Sequence, residues 1–348
     1  MARKRRDELE QDVQQVLAPG VFVGYRDSWV FVEDVETVRG KIAPLIRTGE
    51  AERAVVLLET FIAGCYEKSE EIDDSSGSFG QLVEQLFYDW VRARQAAHAE
   101  PDETAETLLS WMEDDDYGYC HRLEEGATKV FNKAGLAAFE RAVRSRMAGQ
   151  ERSAYPYRRS VDMLKAVFTN RRDVQAYVDL CENEDDLAPK DCETLAEMYL
   201  KHRRNEDALI WVERGLALER KNRWTNRSAW RLPELRRAIL KRLGRAGDAL
   251  ASAWEDYRAN PSLCSYEDLM KFVTRGARAE WHARAIAILD AADLAASIEI
   301  LVMTGERDRL AEVIESLGGH LKSGHLWTLQ TRPFRRSDPR RELSSIAR

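Results

Sequence analysis

The chain has 348 residues, 44% apolar and 32% charged, with a formal net charge of -7. That is enough for one extended helical array or two ordinary domains. No apolar run approaches the ~20 residues of a spanning helix, so no membrane-crossing helix is expected. No apolar segment follows the basic start MARKRRDELEQ, so no secretory signal is expected and the cytoplasm is the expected location.

In chain order, residues 1–33 read as a basic arm carrying a short extended segment or hairpin. Its strand-like part is Val21–Val32, with a turn at Arg26-Asp27-Ser28. From Asp34 the pattern is helical. Val35, Val38, Ile42, Leu45 and Ile46 share a face, and Pro44 interrupts the helix late. Ala51 to about Ile72 is a second helix, with Ala54, Leu57, Leu58, Phe61, Ile62 and Cys65 as its apolar stripe. Asp73–Gly77 breaks the chain, and Leu82, Leu86, Phe87, Trp90 and Val91 mark the next helix. Pro101-Asp102-Glu103 is a favourable helix start. Gly135 is read as separating two further helices, and 149–156 as a linker. The expected organisation is therefore an arm at 1–33, a helical domain at 34–150, helical repeats at 151–330 and a basic tail at 331–348.

The second half repeats a plan. TLAEMYLKHRRNEDALIWVERGLAL (Thr194–Leu218) is two helices broken at His202–Asn205. The Ala-Leu or Ala-Ile pair that opens the second helix recurs at Ala208, Ala249 and Ala285, 41 and then 36 residues apart. Ala54-Val55 and the stretch ILVMTGERDRLAEVIESLG offer two weaker copies. Such periods in helix-turn-helix units predict an all-α fold, an irregular α-solenoid of tetratricopeptide-like helix pairs whose concave face binds a partner.

A more specific resemblance covers roughly Glu33 to Trp327. Its pieces are EEIDDSSGSFGQLVEQL (Glu70–Leu86), AEPDETAETLLSWM (Ala99–Met112), KAGLAAFERAV (Lys133–Val143) and RLGRAGDALASAWEDYRANPSLCSYEDLMKF (Arg242–Phe272). These resemble the helical region that follows the zinc module of bacterial SWIM zinc-finger proteins, and that stands alone in related uncharacterised proteins. The resemblance implies a bacterial, helical-repeat protein. It implies no zinc, because neither CxC nor CxH occurs here. Members of that group continue with further helices beyond the segment matching His325–Leu329. A solenoid stopping there would need its end covered by the Arg-rich tail, a partner or a second copy.

Chemical motifs are sparse. Cys65, Cys120, Cys181, Cys192 and Cys264 are scattered without a CxxC, as expected of buried free thiols rather than a disulfide or zinc framework. Asp73–Ser78 has some calcium-loop character but Ser where an EF-hand requires Gly, so a turn with a helix cap is the better reading. His121 beside Asp114–Asp116 has no second His at helical spacing, and no phosphate-loop or nucleophile-elbow pattern occurs. An enzyme is not expected, and no cofactor or metal is.

Charge is uneven. Glu100–Glu125 holds ten acids against one Arg, Lys201–Arg245 fourteen Lys/Arg against five acids, and the last eighteen residues six Arg against two acids. Trp211, Trp254 and Trp281 fall beside the repeat signature and are expected in the core between helices. Arg223, Arg227 and Arg231, with Trp224 and Trp230, are the candidate partner-binding residues. The expected function is a non-catalytic protein-protein interaction scaffold holding a protein or peptide partner, an acidic one along Lys201–Arg245. The alternative is a nucleic-acid-associated accessory protein using residues 201–245 and the tail.

Overall fold

A computed structural model describes residues 8–184, 187–221, 231–289 and 294–316. The described residues form seventeen α-helices and no β-strand. Contacts divide the chain into two compact units, residues 1–186 and 187–348. The stretch 149–156 lies inside the first unit rather than between the two.

The first unit holds α1 (Glu8–Leu17), α2 (Ser28–Ile42), α3 (Ala51–Lys68), α4 (Ser78–Ala96), α5 (Pro101–Glu113), α6 (Leu123–Val130), α7 (Lys133–Met147), α8 (Tyr155–Arg171) and α9 (Val174–Glu184). The predicted stripe of α3 is its buried face, from Ala54 through Leu58 and Phe61 to Cys65. α4 is the centre of the unit. Leu86 through Val91 are buried without a break, as a helix enclosed on all sides requires, and α2, α3, α5 and α6 pack on it. α7 packs on α5 and α8, and α8 also on α6 and α9.

Two local expectations change. The extended segment or hairpin expected at 21–32 is absent. Residues 28–42 are α2, with Ser28, Val35, Val38 and Ile42 buried at helical spacing, and only Val23 pairs in a strand-like way, through a lone bridge to Ile72. The arm at 1–33 therefore holds α1 and the first turns of α2. Gly135 does not separate helices either. It lies in the first turn of α7, where its N–H donates to the Asn132 side chain at 2.9 Å, an N-cap that moves the break upstream.

The second unit holds α10 (Pro189–Lys201), α11 (Asn205–Lys221), α12 (Leu232–Arg242), α13 (Ala246–Ala259), α14 (Leu263–Phe272), α15 (Arg278–Ala287), α16 (Leu294–Thr304) and α17 (Arg307–Ser316). From α10 to α15 each helix packs on the next, α16 packs on α14, and α17 on α16. The helix break read at His202–Asn205 falls where expected, between α10 and α11. Gly215 lies where α10 and α12 both close on α11. A Cβ there would stand 2.8 Å from the Cys192 Cβ and 2.8 Å from Leu232 Cδ1. Trp254, Tyr257, Leu269, Ala285, Ile298 and Leu301 form the apolar core of the later helices, and the Tyr257 hydroxyl donates to the Ala285 carbonyl at 3.0 Å.

Candidate functional site

The residues read as a strand form the most unusual surface of the first unit. Ten large apolar side chains are exposed among the described residues. Five of them fall between positions 21 and 30: Val21, Phe22, Tyr25, Trp29 and Val30. Single exposed apolar residues are ordinary, but a cluster marks an interaction surface.

The backbone beneath this cluster is firmly held. The side chain of Lys68, at the end of α3, is 1% exposed. Its ammonium donates to the Ala18 carbonyl at 3.0 Å, to the Val21 carbonyl and to Glu71 Oε2 at 3.2 Å, and it lies 5.4 Å from the centre of the Phe31 ring. The Glu71 carboxylate accepts from the Gly20 N–H at 2.8 and 2.9 Å. The Val23 N–H donates to the Glu71 carbonyl at 2.8 Å, and the Asp73 N–H to the Val23 carbonyl at 2.9 Å. The loop is thus fixed through its polar backbone while Val21 and Phe22 remain in water.

Next to the cluster, α2 and α4 border an open groove of about 690 Å3. Trp29, Glu33 and Glu36 line it from α2 at helical spacing, and Ser78, Leu82 and Gln85 from α4. Val30 and Val32 add apolar surface. Glu33, Glu36 and Glu84 face it against a single cation, Arg39. That guanidinium is already engaged, with Glu36 at 2.5 Å and with Asp89 at 2.7 Å. Asp89 is buried and also takes Arg92 at 2.6 Å. Glu84 accepts from the Tyr88 hydroxyl. The groove is therefore apolar along one wall and negative at its rim.

The loop Asp73–Ser78 serves the same region as a helix start. Asp74 accepts from the Phe79 and Gly80 N–H groups at 2.9 and 2.8 Å, while Asp73 accepts from Ser75. The described residues contain no cluster of three or more His, Cys, Asp or Glu placed to hold a metal.

Of the candidate residues read from sequence, Arg223, Trp224, Arg227 and Trp230 lie outside the described residues, as do the tail at 331–348 and the basic residues 1–7. Arg231 is half-exposed and its guanidinium lies 2.9 Å from Glu197 and 3.7 Å from Glu193. Much of the basic charge around it is similarly paired. Arg204 meets Asp207 at 2.8 Å, Arg236 meets Glu213 at 2.6 Å, and Arg245 meets Asp248 at 2.8 Å. Arg237 is buried between Asp256 and Asp268. Trp211 and Trp254 are buried and Trp281 is half-buried. Arg214 covers the Trp211 ring at 5.0 Å, and Arg284 covers the Trp254 and Trp281 rings at 4.4 and 4.8 Å. These tryptophans belong to the packing between helices.

The thiols are chemically quiet where they are buried. Desolvation pushes Cys120 up to about 12 and Cys192 up to about 11, and raises Cys65 further. Such groups stay protonated near neutral pH and are poor nucleophiles. Cys181 is buried as well, and Cys264 is exposed. In the second unit the Tyr266 hydroxyl meets His282 Nδ1 at 2.7 Å, and His282 Nε2 meets Glu306 at 2.8 Å. This chain of three ties α14 and α15 to the turn before α17.

Fold and site together define an all-helical protein of two compact units, the first bearing an apolar cluster beside an acid-rimmed groove. No helix of the described residues is long and apolar enough to cross a membrane. The chain belongs to DUF6880, a family of unknown function whose model matches residues 4–316. No curated protein and no solved structure matches it.

Proposed function

We propose that the protein is a non-catalytic protein-binding scaffold of the cytoplasm, with its partner seated on the surface formed by residues 21–30 and the groove beside them. The observation that supports this is the exposure of Val21, Phe22, Tyr25, Trp29 and Val30 within ten residues, the first two on a loop clamped by Lys68 and Glu71 and the last two on α2. A loop tied at three backbone positions by Lys68 and Glu71 favours one arrangement, which keeps Val21 and Phe22 in water. The successive packing of α10 to α15 fits the tetratricopeptide-like solenoid of the same reading. So does the resemblance to the helical region of SWIM proteins. The ion pairs made by Arg204, Arg231, Arg236, Arg237 and Arg245 lend less support to an acidic partner or nucleic acid along Lys201–Arg245.

The test is site-specific photocrosslinking in the native host. A photoreactive residue at Val30 is expected to give a discrete adduct with another protein. The same residue at Tyr155, equally exposed but outside the cluster, is expected to give none. Loss of the Val30 adduct in a chain carrying Trp29→Ala and Phe22→Ser supports the reading. No adduct at Val30, or the same adduct from both positions, refutes it.

A further inference from the structure

We infer that the groove between α2 and α4 receives a cationic amphipathic helix of another protein, about two turns long. This rests on the protein-binding reading and specifies the chemistry of the partner. The dimensions come from the helices themselves. Trp29 to Glu36 on α2 and Ser78 to Gln85 on α4 each cover seven residue steps, or about 10 Å at the helical rise. That length accommodates anchors spaced i, i+3 or i+4, and i+7 on a docked helix. Exposed Trp29 and Val30, with half-buried Val32, supply the apolar contact, over the buried Leu82 at the floor.

The rim selects the sign. Arg39 is neutralised by Glu36 and Asp89, which leaves Glu33 and Glu84 as the charges presented to an occupant. Asp34 is exposed on the next position of α2. Lysine or arginine flanking the apolar stripe of a partner would meet these carboxylates. A second copy of the same surface would bring a second Glu33 and Glu84 into the same interface, and an anionic lipid surface would meet like charge, so both are disfavoured.

The experiment uses the full chain and two labelled peptides of about fourteen residues. Both carry leucines at helical spacing, and the remaining positions are Lys in one and Glu in the other. Fluorescence anisotropy is expected to show the Lys peptide binding at least about fivefold more tightly than the Glu peptide, with the difference shrinking as salt rises past about 0.1 M. Trp29→Ala with Val30→Ser is expected to weaken the Lys peptide about tenfold, and Glu33→Gln with Glu84→Gln to remove the preference between peptides. Asp114→Asn with Asp116→Asn, exposed acids outside the groove, is expected to change neither. Circular dichroism of each variant checks that it is folded.

Equal binding of the two peptides, insensitivity to the Trp29/Val30 change, or equal weakening by the Asp114/Asp116 change overturns the inference. So does a dimer in sedimentation that Val30→Glu dissociates, or retention on phosphatidylserine vesicles that the same change abolishes. A specific crosslink from Val30 without a preference for the Lys peptide leaves the protein-binding reading standing and removes only the cationic partner. Absence of both removes both.

Discussion

Lys68 is held by three acceptors, and two of them are backbone carbonyls of the loop it supports. Lys68→Met keeps most of the volume but takes the charged donor away from those carbonyls and from Glu71, which keeps only the Gly20 N–H. Removing one partner of a fully buried pair costs about 3–5 kcal/mol. Because Glu71 is 31% exposed, a loss of about 2–3 kcal/mol in chemical denaturation is expected here. The amides of Gly20 and Val23 should exchange with deuterium before those of α4. Glu124 has the opposite effect. Burial raises its pKa, Glu125 and Asp162 add to the rise, and its own backbone N–H and Arg159 only partly oppose it. Its Oε2 has no hydrogen-bond partner. A carboxyl whose folded pKa lies above its unfolded value penalises folding once pH exceeds the folded pKa, and the penalty vanishes below the unfolded one. Glu124→Gln is therefore expected to stabilise the protein at pH 7 by about 1 kcal/mol. Unfolding measured down to about pH 4 should show that gain disappear.

At the scale of the helix, the tightest crossing is at Gly215. Alanine in a helix interior gains about 1 kcal/mol over glycine. Here the added methyl would meet the Cβ of Cys192, which cannot rotate away. Overpacking costs about 1–3 kcal/mol, so Gly215→Ala is expected to lose about 1–2 kcal/mol net. The contrasting change, Gly247→Ala at an open position, should be neutral or stabilising in the same thermal melt. Periodicity made most of the helices legible, as in α3, where the apolar stripe is also the buried face. It failed at 21–32 for a physical reason. Trp29 and Val30 are apolar on the outside of α2 while Val35 and Val38 are apolar on the inside, and apolar residues on both sides of a short segment read as a strand. Gly135 looks like a helix break in the sequence, but the stop belongs to Asn132, whose capping role depends on where its side chain points. The groove was not legible at all. Its walls come from two helices about fifty residues apart in sequence, as the contact of Arg39 with Asp89 illustrates. The basic character of Lys201–Arg245 was legible, but the pairing of Arg231 with Glu193 and Glu197, and of Arg237 with Asp256 and Asp268, arises only when helices meet.

At the scale of the whole molecule, each of the two units has its own buried apolar residues. A fragment of residues 1–186 should therefore fold by itself. It is expected to unfold cooperatively with a helical circular dichroism spectrum and to bind the Lys peptide as the full chain does. A fragment that is unfolded, or that has lost the peptide, would place part of the first unit's stability or recognition in residues 187–348.

The clamp beneath residues 18–23 also has a history in time. Lys68 follows Ala18 by fifty positions. At about 5–20 residues per second, a ribosome exposes Val21, Phe22, Tyr25, Trp29 and Val30 for about 3–10 seconds before their anchor has been made. During that interval the segment is an unsupported apolar peptide, a substrate for chaperones. Once Lys68 and Glu71 arrive, the same side chains become a surface of fixed shape. A partner that recognised that shape would therefore bind only a chain whose first unit has folded.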